Sequence, residues 1–294
     1  MDIRVLRYFL AVAREESITK AAEHLHMSQP PLSRQLKDLE NELGVQLLIR
    51  GSRKVTLTEH GMILRKRAEE LVELFHKTEK EVTSPGEAIS GDVYIGSGET
   101  DAICMIAGIA TKLREKYPGI HYHISSGDAE EVTERLDKGL IDFGILLDPV
   151  NVDKYNSIKI PAEDVFGVLM RRDSPLADKE HIRGEDLWDK PLIVSRQSLT
   201  SREMEQIIGR EFSALDVVST YTLIFNASRL VAEGFGYALC LDKLINTNGS
   251  NLCFKPLYPT HKIGMSLVWK KYQVFSRAST LFLNSLRDEW DKDI

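Results

Sequence analysis

Two adjacent prolines, Pro30 and Pro31, stand in a stretch whose apolar residues otherwise recur at helical spacing, and this leaves the chain little freedom there. Around Thr19 to Gly44, Ile18, Ala21, Ala22 and Leu25 keep the helical period. It breaks at His26-Met27-Ser28, and Leu32, Leu36, Leu39 and Leu43 resume it. Proline lacks an amide hydrogen and is tolerated in a helix only in the first turn, so a second helix has to begin at about Gln29 with Ser28 as its N-cap. At about 100° per residue the four leucines fall on one side, Pro30, Arg34, Lys37 and Asn41 point away, and Gln29 and Ser33 lie on the flank. That outward face carries groups able to read a nucleic acid groove. Arg34 and Lys37 suit phosphates or guanine edges, Gln29 suits adenine, and Ser33 suits a base edge or the backbone, beside Ser28 and Pro30 at the helix start. The pattern predicts a helix-turn-helix. The competing reading is an amphipathic helix pair in a core, its charged face merely solvated.

The flanking segments favour the first reading. Residues 3 to 14 place Ile3, Leu6, Phe9, Leu10 and Ala13 on one side of a helix that would pack behind the pair. Val45 to Thr58 reads as two short strands around Arg50-Gly51-Ser52-Arg53-Lys54, a wing whose Arg50, Arg53 and Lys54 suit phosphate or minor-groove contact. From Thr58, a plausible N-cap, Gly61, Leu64, Ala68, Leu71, Phe75, Thr78 and Val82 recur every three or four residues. A helix of about 25 residues spans roughly 37 Å, too long to bury itself in a small winged domain. Either it pairs with its copy in a second chain, or it packs on its own chain.

These residues resemble those of the LysR-type transcriptional regulators. The resemblance rests on Ala21-Ala22, Leu25, Ser28-Gln29, Ser33, Leu36, Leu39-Glu40, Leu43-Gly44, Leu47, Arg50, Leu57-Thr58 and Gly61, each at the family's spacing. Leu48 stands where the family usually has an aromatic residue, and His60 where it usually has alanine. Both departures concern packing.

The net charge of −6 argues at first against nucleic acid. Its distribution reverses that, because residues 1 to 60 carry nine Lys/Arg against eight Asp/Glu and the acidic excess lies beyond them. Ser28 to Lys54 is only modestly basic, so one copy should bind weakly. Two copies on an inverted-repeat duplex operator are expected. Family resemblance implies a homotetramer built from two such helix-paired dimers, and RNA polymerase is a further expected partner.

Ser84-Pro85-Gly86 ends the long helix, and Ile89-Ser90-Gly91 completes a hinge. Beyond it strands and helices alternate, which argues for parallel sheets covered by helices. Strands are expected at Val93–Gly96, Ile120–Ser125, Phe143–Leu147, Phe166–Met170, Leu192–Ser195, Val217–Tyr221, Tyr237–Leu241 and Lys262–Lys270, and a closing helix at Phe275–Trp290. The chain is expected to cross between two lobes near Ile158–Glu163 and to return along Lys262–Lys270. The resemblance implies a two-lobe α/β effector domain like a periplasmic binding protein. The expected division is 1–58 for the winged helix-turn-helix, 59–86 for the linker and dimerisation helix, 87–91 for the hinge, 92–161 with 268–294 for one lobe, and 162–267 for the other.

Ligands of open α/β sheets bind beyond the carboxyl ends of the strands. By similarity to the family, Ser97, Thr100, Ser126, Ser195 and Phe225 are expected effector contacts, with Asp148 at a strand end and Arg196 able to pair with an anion. A small polar or anionic effector is expected. Glu99 and Asp148 leave two possibilities: they point outward, or the effector carries a cationic or polar group. The hydroxyl residues could equally serve only as helix caps.

Enzyme motifs are missing. Asp101 stands where the third glycine after Gly96-Ser97-Gly98 would be, there is no GxSxG, HExxH or P-loop, and His24 and His26 fall on different helical faces. No catalytic role, metal or cofactor is expected. A transporter's ligand-binding protein would fit the two-lobe region alone, but the N-terminal module and an N-terminus that reads as an amphipathic helix and not a signal peptide oppose it. No run approaches a membrane span, and a cytoplasmic location is expected. Cys104, Cys240 and Cys253, odd in number and far apart, suggest buried thiols in a reducing compartment, with redox sensing as the alternative.

Overall fold

A computed structural model describes residues 1–51, 54–83, 89–200 and 202–290. The chain divides into two units, Met1–Ser84 and Pro85–Ile294.

In the first unit, α1 (Ile3–Glu15) starts at Asp2, whose carboxylate accepts the Arg4 amide at 2.7 Å. It buries Val5, Leu6, Phe9, Ala11 and Val12, a face rotated from the one expected, with Ile3, Leu10 and Ala13 only half-buried. The helix contacts α2 (Ile18–His24), α3 (Gln29–Leu43) and α4 (Glu59–Thr83), so its apolar stripe is wide. Between α2 and α3 the backbone turns at His26, φ 54°. The His26 amide donates to Glu23 O at 3.1 Å and the Met27 amide to Ala22 O at 2.9 Å, the pairing that closes helices ending in a left-handed residue. Ser28 occupies the N-cap of α3, yet its hydroxyl makes no capping bond. The reason is in the sequence: an N-cap oxygen accepts from the second or third helical amide, and those residues here are Pro30 and Pro31. Leu32, Leu36 and Leu39 are buried with Phe9, Val12, Ala21 and Ala22, whereas Leu43 is 39% exposed beside the chain reversal at Gly44 and does not join the cluster.

The wing is a two-stranded antiparallel hairpin, β1 (Leu48–Arg50) against β2 (Val55–Leu57), with Leu48 opposite Leu57. Glu40 of α3 fixes it by accepting the Leu47 and Leu48 amides at 2.8 and 3.0 Å. Thr58 caps α4, accepting the Gly61 amide at 3.0 Å. The seam expected along α4 divides. Gly61 and Ala68 are buried and Leu64 packs on the winged core, while Leu71, Phe75 and Val82 remain exposed, Val82 by 79%. The helix packs on its own chain at Gly61, Leu64 and Ala68 and again at Phe75, over whose ring the Arg7 guanidinium of α1 lies at 5.5 Å; Gly61 lies so close to the Leu47 carbonyl that no Cβ fits.

In the second unit, β3 (Gly91–Ser97), α5 (Ile103–Lys116), β4 (Ile120–Ser126), α6 (Ala129–Asp137) and β5 (Phe143–Leu147) form a parallel βαβαβ set ordered β4-β3-β5. The chain then enters β6 (Tyr155–Arg171), one 17-residue strand where a crossing and a separate short strand were expected. Its first half lies in the sheet of the first lobe and its second half in that of the next. The second lobe adds β7 (Ile182–Arg183), β8 (Leu192–Ser195), α7 (Arg202–Ile208), β9 (Val217–Tyr221), α8 (Ile224–Ala232), β10 (Tyr237–Leu241) and β11 (Leu252–Tyr258). β11 was not anticipated, because Lys255 and Pro256 interrupt its apolar run. β12 (Lys262–Lys270) returns to the first lobe, and α9 (Arg277–Trp290) closes its core through Phe282, Leu286 and Trp290. β8 is parallel to both β9 and β10, but β10 is antiparallel to β6 and β12 is antiparallel to both β5 and β6, so the sheet is mixed. Helices cover both faces: α5 and α9 against α6 in one lobe, α7 against α8 in the other.

Candidate DNA-reading face and ligand cleft

Burial of Leu32, Leu36 and Leu39 turns the opposite side of α3 to solvent. Ser28, Gln29, Pro30, Arg34 and Lys37 are exposed, Arg34 by 84% of its side chain, and Ser33 is half-buried. Arg34 approaches Asp38 at 4.0 Å, an exposed pair worth little and easily given up to a phosphate. Arg50 donates from Nη1 to Ser33 Oγ at 3.2 Å and lies 3.9 Å from Glu40. Lys54 pairs with Glu16 at 3.2 Å. Arg53 lies outside the described residues. The two missing amides at Pro30 and Pro31 weaken the helix N-terminus as a phosphate site, so the side chains and the wing carry the available contacts.

In the second unit, a cavity of about 300 Å³ opens at the carboxyl ends of β3, β4, β5, β8, β9 and β10. This is the crevice expected for such sheets, at the small end of the range for ligand pockets. One wall comes from Gly98-Glu99-Thr100, Gly127-Asp128 and Leu147-Asp148 of the first lobe, the other from Ser195 to Ser198, Tyr221-Thr222 and Ile224 of the second. Of the residues expected at the effector site, Thr100, Asp148, Ser195 and Arg196 line it. Thr100 does so with its hydroxyl already donating to Asp164 at 2.6 Å. Ser195 and Ser198 share a bond of 2.7 Å, and Ser195 Oγ accepts the Ser198 amide at 3.0 Å, which fixes that turn.

Ser97, Ser126 and Phe225 are not among the lining residues. Ser97 is buried and donates to the Gly98 carbonyl at 2.6 Å. Ser126 ends the edge strand β4, exposed to solvent. Phe225 is 57% exposed with Arg229 stacked 5.0 Å over its ring, because Ile224, one position and about 100° earlier on α8, takes the inward place. Spacing alone overlooked Glu203 and His261, which line the cavity and pair with each other at 3.3 Å. They come from α7 and from the return connection before β12, and nothing local in the sequence marks either.

Glu99 and Asp148 both line the cavity. Asp148 accepts from Ser266 Oγ at 2.7 Å. Glu99 accepts the Ile224 amide of the opposite lobe; burial pushes its carboxyl above the usual range, and that amide partly offsets the shift. Burial likewise raises Asp164, with the Thr100 hydroxyl opposing. Among the described residues the Arg196 guanidinium, on the other wall, has no hydrogen-bond or ion-pair partner. Also among them, no group of three or more His, Cys, Asp or Glu is placed to hold a metal, and no helix is long and apolar enough to cross a membrane.

A winged helix-turn-helix in one unit and a two-lobe α/β cleft in the other define a class: a DNA-binding module joined to a small-molecule-binding module. Residues 3–62 match the family described as bacterial regulatory helix-turn-helix protein, lysR family, and residues 86–291 match the LysR substrate binding domain. The chain is 34% identical to the HTH-type transcriptional regulator BsdA of Bacillus subtilis (strain 168) over 89% of its length and 86% of that protein. It is 30% identical to the Hca operon transcriptional activator HcaR of Escherichia coli (strain K12), over 92% of each. The solved structure of full-length CbnR complexed with its target DNA shares the fold, with a TM-score of 0.76 at 20% identity over 98% of this chain and 99% of that one. The chain belongs to the LysR family of DNA-binding transcription regulators, whose members pair a helix-turn-helix with a substrate-binding domain.

Proposed function

We propose that this regulator reads an inverted-repeat operator through the α3 face and wing of two paired copies, and that a small effector in the interlobe cleft changes how those copies are held. The observation that carries the reading is the exposed row Ser28, Gln29, Pro30, Arg34 and Lys37 directly opposite the buried leucines of α3. Exposed Leu71, Phe75 and Val82 on the outer half of α4 support pairing through that half of the helix. A homotetramer, contact with RNA polymerase and a cytoplasmic location belong to the same reading, as does the absence of catalysis. The effector is a small polar molecule with an anionic group for the unpartnered Arg196 and a polar group toward Asp148.

The test selects bound fragments from a genomic library with the full-length protein, then compares wild type with Arg34→Ala by fluorescence anisotropy. A loss of about 1–3 kcal/mol on the selected site is expected. No enrichment over random fragments, or unchanged affinity in the variant, would overturn the assignment of α3. A thermal-shift screen of small metabolites tests the cleft, since a ligand of the native state raises the unfolding temperature.

A further inference from the structure

Helix α8 begins without a cap of its own. Its N-cap residue is Leu223, which has no side-chain acceptor, so no N-cap side chain bonds the first-turn amides. Helix starts are normally satisfied by Ser, Thr, Asp or Asn at this position. Here the Ile224 amide is bound by Glu99, a residue 125 positions earlier that belongs to the loop after β3 in the other lobe. Other contacts of the same loop do not do this work. Thr100 binds Asp164 on the continuous strand β6, and Asp101 meets Lys243 at 3.5 Å as an exposed, solvent-screened pair.

We propose that Glu99 is an interlobe clasp, capping α8 of the second lobe from the first and so coupling closure of the cleft to the order of that helix. The first turn of α8 sends Ile224 into the cleft and Phe225 outward, where Leu230 and Phe235 are also exposed. Separating the lobes leaves Leu223 with nothing to offer the freed amide, so the turn loosens and the outer apolar face changes with it. A cap and a carboxylate at a helix N-terminus act in the same direction, and together they shift the ordered-to-frayed ratio by about five-fold or more. The regulatory consequence rests on the cleft being the effector site; the clasp itself does not.

Amide hydrogen exchange on the full-length protein, with neither DNA nor effector present, tests the clasp separately from the effector reading. Glu99→Ala should speed exchange of peptides covering Ile224–Ala232 by about five-fold or more, while α5 and α7 exchange as in wild type. Glu99→Gln, whose amide oxygen still accepts from Ile224, should fall between the two and stands in should the alanine variant not fold. Asp101→Ala, on the same loop, should leave α8 unchanged. Unaltered exchange of α8 in folded Glu99→Ala or Glu99→Gln would overturn the proposal, as would an equal effect from Asp101→Ala.

Discussion

Arg50 on the wing donates from Nη1 to Ser33 Oγ on α3, 3.2 Å away, so the two elements proposed to meet DNA are joined to each other without it. Glu40 completes the arrangement, binding the Leu47 and Leu48 amides and lying 3.9 Å from Arg50. The guanidinium is thereby held near the reading face, and a phosphate could take over its Ser33 bond. Arg50→Ala should weaken binding to all duplexes by similar factors and reduce the slope of log affinity against log salt by about one. Titrations at several salt concentrations check this; an unchanged slope removes Arg50 from phosphate contact.

Gly61 anchors α4 to the winged core through close approach to the Leu47 carbonyl. Gly61→Ala would normally favour a helix, yet here the added methyl meets backbone that is itself held by Glu40 and the wing. A net destabilisation of about 1–3 kcal/mol is expected, the range for overpacking, and denaturant unfolding followed by circular dichroism measures it. Equal or greater stability in the variant would show that α4 can shift away without loss.

The three thiols should differ in reactivity. Cys104 is exposed, whereas Cys240 is buried and burial pushes its thiol up to about 12. At pH 8 only about one part in ten thousand of Cys240 would be thiolate, the reactive form. Cys253 is raised in the same direction by burial, with Lys255 and Arg172 opposing. A thiol reagent at pH 8 should therefore modify Cys104 first, and Cys104→Ser should remove the fast phase. Rapid modification of Cys240 in the native protein would contradict the packing around β10.

Ser195 and Ser97 should separate in an effector assay. Ser195 lines the cleft and ties the turn to Ser198, whereas Ser97 is buried and bonded to its neighbour's carbonyl. Ser195→Ala should weaken the thermal shift given by any effector found, and Ser97→Ala should leave the effector's binding free energy within about 0.5 kcal/mol of wild type. The reverse order would place the ligand elsewhere.

Local pattern determined much of this protein. The spacing of Leu32, Leu36 and Leu39, with two prolines that fit only a first turn, fixes α3 and hence which side faces solvent; short, largely apolar or β-branched runs mark β5, β8, β9, β10 and β12. Periodicity states which residues share a face, because that follows from backbone geometry alone. It does not state what stands opposite. Only the tertiary structure decided that Gly61 and Ala68 are buried in their own domain while Leu71 and Val82 stay exposed, that Ile224 and not Phe225 enters the cleft, and that β6 runs unbroken through both lobes. It also brought Glu99 to a helix start 125 residues away. Each of these depends on packing between segments distant in the chain, whose contact energies no local window contains.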